Sequence, residues 1–168
     1  MRYLTLCLLT AVLWAQAPGS GPVPDALLYA TLFKFVVQDQ QFADSLAAAK
    51  KDDKPMRVKR QYDIGLTDAE FAQLKSIATT YDAQDKGFMA ARTQLNSQIK
   101  ASGQAPTTAQ IAQGQALQTQ IDSQRQSNLD QLKAALGPKS FKMVDDYVRK
   151  EVVPHVGYTQ MKKQQVKK

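Results

Sequence analysis

One short turn, Ser102-Gly103-Gln104-Ala105-Pro106, separates two long stretches that both repeat apolar residues at helical spacing, and this limits the fold more than any other feature of the chain. Upstream lie Phe71, Leu74, Ile77, Tyr81, Phe88, Leu95 and Ile99; downstream lie Ile111, Leu117, Ile121, Leu129, Leu132 and Leu136. Steps of three, four and seven put each set on one helix face. Two helices joined by so short a turn run antiparallel. The expected helices cover 68–101 and 107–136, and both begin with the same device. Thr67 with Glu70, and Thr107 with Gln110, have the spacing of a capping box, in which cap side chain and third helical residue satisfy each other's amides. Leu66 before the first cap and Phe71 after it have the spacing of a hydrophobic staple. Gly87 sits in the middle of the first stretch, where it costs up to about 1 kcal/mol against Ala, and marks an expected kink or close helix approach.

The flanking segments read as two further helices. Asp25, after Pro24, is the expected N-cap of a helix reaching about Ala49. Leu28, Leu32, Phe35, Phe42 and Leu46 share one face of it, widened by Tyr29, Phe33, Val36 and Val37. Residues 50–65 read as a basic connection, because Pro55 interrupts helix continuity and disfavours helical geometry at Lys54. Leu136-Gly137-Pro138 stops the third helix and opens a fourth, with Phe141, Val144, Tyr147, Val148 and Val152 apolar, which Pro154 ends. The expected fold class is all-α: an elongated bundle of about four helices built on a long antiparallel helical hairpin.

The amino-terminal residues have a different character. Met1-Arg2, the apolar run Leu4 to Trp14 and the small-residue exit Ala15-Gln16-Ala17 read as a secretory signal peptide cleaved after Ala17. Residues 18–24 read as a disordered spacer, 25–154 as the helical domain and 155–168 as a basic disordered tail. Cys7 is the only cysteine, so the mature chain would hold no disulfide and no thiolate ligand. A bacterial periplasm or exterior suits an exported chain of this kind.

The full chain carries a net charge of +7. Its distribution decides more than its sum. Residues 50–60 hold six basic and two acidic side chains, and residues 155–168 hold four lysines and no acid. Those two segments account for +8, so the rest of the chain taken together is slightly acidic. Segregated charge of this kind suits docking on an anionic envelope surface, lipid or wall polymer, with Lys162, Lys163, Lys167 and Lys168 as the docking residues. Nucleic acid is not expected as a partner, since the tail offers only Tyr158 for stacking. The hairpin turn is the opposite case. Between Ala101 and Asn128 only Asp122 and Arg125 are charged, and 11 of the 38 residues from Gln94 to Gln131 are glutamine, so solubility there rests on amides rather than charge.

Catalytic constellations are missing from this pattern. His155 is the only histidine, and imidazole-based metal binding needs more ligands than one. Asp145 and Asp146 are adjacent on a helix and so diverge; Arg149 and Lys150, each four positions on, explain them as surface ion pairs. No cofactor and no catalytic or metal-binding residue is expected.

Leu66-Thr67-Asp68-Ala69-Glu70, in an all-helical chain behind a signal peptide, resembles the LTxxQ motif of the Spy/CpxP-like periplasmic proteins. Glu70 stands where that motif has Gln. A second, looser copy is Leu136-Gly137-Pro138-Lys139-Ser140, 70 residues later. The resemblance implies a small elongated helical dimer active in envelope stress, either an ATP-independent chaperone or a metal-linked sensor; without a histidine in the body, it implies binding without metal. The expectation is thus a non-catalytic, chaperone-like binding protein and homodimer that engages unfolded clients or envelope partners. Phe33, Phe35, Phe42, Phe88 and Met89 would provide the contacts, with Lys59 and Arg60 supplying long-range attraction.

Overall fold

The computed structural model describes residues 24–156. The signal-peptide segment, the spacer as far as Val23 and the lysines at 162, 163, 167 and 168 lie outside the described residues. The fold is all-α. Helix α1 is Asp25–Ala48, α2 is Lys54–Ile64, α3 is Asp68–Ser102 and α4 is Thr108–Tyr147; a π-turn, Val148–Val152, follows. No strand occurs among the described residues. They form two compact units, one made of 24–83 with 125–156 and the other of 84–124.

Both capping boxes form. The Thr67 N–H donates to Glu70 Oε2 at 2.9 Å and the Glu70 N–H donates back to Thr67 Oγ1 at 3.4 Å. At the start of α4 the Thr107 N–H donates to Gln110 Oε1 at 2.9 Å and the Gln110 N–H to Thr107 Oγ1 at 3.2 Å. Leu66 and Phe71, spaced as a staple, are both buried.

The larger unit holds the main core. Leu28, Tyr29, Leu32, Phe33 and Val36 of α1 are buried, as are Phe71, Leu74, Ala78 and Tyr81 in the first part of α3 and Leu129, Leu132 and Val144 in the last part of α4. Phe33 and Tyr81 pack with ring centroids 5.5 Å apart, and Tyr29 stacks on Phe141 at the same distance. Tyr29 buries its ring but keeps a polar outlet: its hydroxyl donates to Asp145 at 2.8 Å. Burial first, and the bond to Asp145 second, push that phenol well above its ordinary pKa.

Four sequence expectations are corrected here. Helix α1 starts one residue early, with Pro24 as cap residue and its carbonyl accepting from the Leu27 and Leu28 amides. Asp25 then lies inside the first turn, where a carboxylate suits the helix dipole, and pairs with Arg149 at 2.8 Å. Residues 54–64 are a helix and not a connection: Pro55 falls in its first turn, where a missing N–H goes unused. Phe42 is not core. It is 52 % exposed, because α2 docks on α1 through Asp39 and Asp44 instead. Pro154 does not end the last helix, since 153–156 are helical; the wide π-turn before it relieves the clash a proline ring makes with the carbonyl four residues back. Finally, α3 runs unbroken through Gly87, and a Cβ there would meet nothing within 4 Å, so no helix approaches it closely.

The break at Gly137 is as expected. Its φ of 68° and ψ of 172° are non-helical, and Pro138 opens the final stretch of α4. Gly65, with φ 87°, closes α2 in the left-handed region. A Cβ at Gly65 would come within 2.8 Å of Met143 Cε, the end of a flexible side chain that can shift, so it is the left-handed φ that calls for glycine there.

Candidate functional site

The basic segment 50–60 turns out to have two halves with different fates. In α2, Arg57 bonds Asp53 and reaches Asp44 of α1 at 2.9 Å. Lys59 pairs with Asp63 at 3.1 Å. Arg60 is the most deeply engaged. Its Nε donates to Asp39 at 2.6 Å and a terminal nitrogen donates to the Tyr147 hydroxyl at 2.5 Å. The guanidinium lies 5.4 Å from the Phe35 ring centroid and 5.8 Å from that of Tyr147. His155 stands edge-on to Phe35 at 6.0 Å. One cation thereby ties α1, α2 and α4 together. A planar, delocalised, weakly hydrated guanidinium suits that task as an ammonium does not.

The other half is Lys50, Lys51 and Lys54, all exposed. Among the described residues none of the three has a carboxylate within ion-pair distance. Lys50 has φ 54°. The Lys50 N–H donates to Ala47 and the Lys51 N–H to Leu46, both at 2.9 Å. This is the Schellman pattern, in which the left-handed position is usually glycine. Asp52 accepts from the Lys54 amide at 3.1 Å.

The smaller unit, 84–124, is a two-helix hairpin. Two helices alone cover only part of each other's apolar stripe, and the consequence is visible residue by residue. Leu95 and Ile121 are buried. Phe88, Ile99, Ile111 and Leu117 are half-buried. Met89 is 50 % exposed. Between the two helices lies a cleft of about 50 Å³, lined by Arg92, Leu95, Ile99, Gly114, Leu117 and Ile121 among others. That is far below the several hundred Å³ of a typical metabolite pocket; it fits the tip of one apolar side chain.

The residues expected to contact partners are therefore dispersed. Phe33 is fully buried and belongs to the core. Phe35 and Arg60 are brought together, but in an internal contact. Lys59 is exposed and paired, Phe42 and Met89 are exposed, and Phe88 lies on the hairpin seam. Sequence reasoning did not single out Tyr62, which is 74 % exposed on α2, nor Gly114. A glycine in a seam otherwise made of Ile and Leu was the available signal. An open groove between α2 and α4 is bordered by Lys59, Asp63, Asp146, Lys150 and Glu151, yet its charges are answered locally. Asp146 pairs with Lys142 at 2.8 Å, not with Lys150 as its spacing suggested, and Lys150 turns to Glu151 at 3.2 Å. No group of three or more metal-ligating side chains occurs among the described residues.

No protein-family model, curated protein or solved structure matches the chain.

Proposed function

We propose that the chain is an exported, non-catalytic binding protein whose hairpin unit receives apolar side chains of other proteins, unfolded clients or a second copy of the chain among them. The carrying observation is the half-covered seam of that unit, with its single-side-chain cleft at Gly114. A side chain entering the cleft gains burial against Leu95, Ile99 and Leu117 at roughly 25 cal/mol per Å² of apolar surface removed from water. The surrounding glutamines can donate and accept, so they adapt to many backbones without a charge to select among them. The LTxxQ-like start of α3 supports the same reading, since the resemblance implies a chaperone-like role.

Suppression of aggregation of a denatured client tests this. The full chain suppresses it, while Leu117→Glu and Gly114→Leu, the second of which fills the cleft and favours helix, both lose the effect with helicity retained by circular dichroism. No suppression by the full chain at several-fold molar excess overturns the proposal.

A further inference from the structure

The turn between α1 and α2 carries a second surface, independent of the hairpin seam. Of the six basic residues in 50–60, three are committed to internal pairs, which leaves Lys50, Lys51 and Lys54 crowded on one turn with Asp52 as the only other uncommitted charge. The backbone holds them there firmly. Both donors of the Schellman pattern are made, and Lys50 occupies the left-handed position that a glycine would fill with less strain. Leading into the turn along α1 is an apolar stripe. Phe42, Leu46 and Ala49 follow at steps of four and three, so they lie on one face, and they are exposed, half-buried and exposed respectively. The α1 end of the molecule thus pairs an open phenyl ring and aliphatic surface with three unanswered ammonium groups.

We infer that this turn docks on an anionic lipid bilayer, with Lys50, Lys51 and Lys54 on the headgroups and Phe42 entering the interface. Lysine stems can lie along apolar surface while their ammonium groups stay in the polar layer. Basic side chains beside an apolar face are the combination that holds peripheral proteins on such surfaces. The stripe selects the partner. An acidic polymer would use the lysines but offers no hydrocarbon for Phe42, and a nucleic acid needs more than one stacking ring. A bilayer uses both.

Co-sedimentation of the full chain with vesicles tests this. Binding is expected to phosphatidylcholine vesicles containing phosphatidylglycerol, and not to phosphatidylcholine alone, and it falls as salt is raised. At about 1 kcal/mol per surface lysine, roughly fivefold each, Lys50→Gln, Lys51→Gln and Lys54→Gln together weaken binding about a hundredfold. Phe42→Ala weakens vesicle binding further and leaves retention on a polyanionic resin unchanged. All four positions are outside the core, and thermal melts verify that the variants fold. Unchanged vesicle binding by the triple variant overturns the inference, because the attraction then resides elsewhere in the chain. So does an unchanged vesicle affinity of Phe42→Ala, which reassigns the surface to polyanions in general.

Discussion

The Ser140 hydroxyl donates to Glu70 Oε1 at 2.5 Å, across 70 residues of sequence, while Glu70 Oε2 accepts from the Thr67 amide and hydroxyl. The two phrases that resemble each other in sequence, at the start of α3 and after the Gly137 break in α4, thus meet in space and share one carboxylate. Three donors on one carboxylate favour its charged form. The bond from Ser140 first, then those from Thr67, lower the Glu70 pKa from 4.5 to about 2.

Acid sensitivity follows from that shift. A carboxyl whose folded pKa is depressed adds stability that is fully present above its unfolded value, near 4.5, and is lost as pH falls toward about 2. Thermal melts between pH 2 and 6 should show this loss in the native chain. Ser140→Ala should bring the Glu70 pKa back toward 4.5 in an NMR titration and flatten the melting curve's acid limb; an unchanged pKa would show that the two helix starts are not coupled through this bond.

Arg60→Ala should destabilise the larger unit by about 2 kcal/mol, since it strands Asp39 and the Tyr147 hydroxyl and removes two cation–ring contacts. Arg60→Lys should recover less than half, for want of the planar fork. Lys59→Ala, next in sequence but exposed, should change stability by no more than about 0.5 kcal/mol. Urea unfolding compares all three directly.

Two glycines should respond with opposite signs. Gly65→Ala meets a positive φ and the Met143 methyl at 2.8 Å, and should cost about 1–2 kcal/mol. Gly87→Ala adds a methyl into open space on a regular helix and should stabilise by up to about 1 kcal/mol. Equal effects would mean that backbone geometry is not what separates the two sites.

Lys50→Gly should raise stability by about 1 kcal/mol, because glycine adopts the left-handed C′ position without a Cβ penalty. The same change should weaken binding to anionic vesicles about fivefold. A variant both more stable and less adherent would identify Lys50 as retained for its charge.

Much of the local structure was legible because its determinants lie within four residues of each other. Thr67 with Glu70, Thr107 with Gln110, and Gly137 before Pro138 each carry their own instructions. The hairpin turn did too. What was not legible depends on partners distant in sequence. Ser140 gives no sign of its bond to Glu70, and Arg60 gives none of Asp39, Phe35 and Tyr147. Helix α2 is hard to see in the sequence because a proline is tolerated in a helix's first turn and breaks it further in, and Pro55 alone does not say which applies. Phe42 keeps the period of the core stripe on α1, but periodicity reports a face and not where the packing on that face stops. The candidate surfaces were least legible of all: whether Arg57 or Lys54 is available to a partner depends on which carboxylates the fold brings near.

The hairpin residues from 101 to 121 contain no ionisable side chain at all. That stretch has no charge of its own for salt to screen, and an excluded salt such as sulfate should tighten its contacts by favouring apolar burial, whereas binding through the lysine turn should weaken as the Debye length shrinks. If both proposed surfaces bind as argued above, a change in ionic strength should move them in opposite directions. The salt content of its surroundings would decide which of them is occupied.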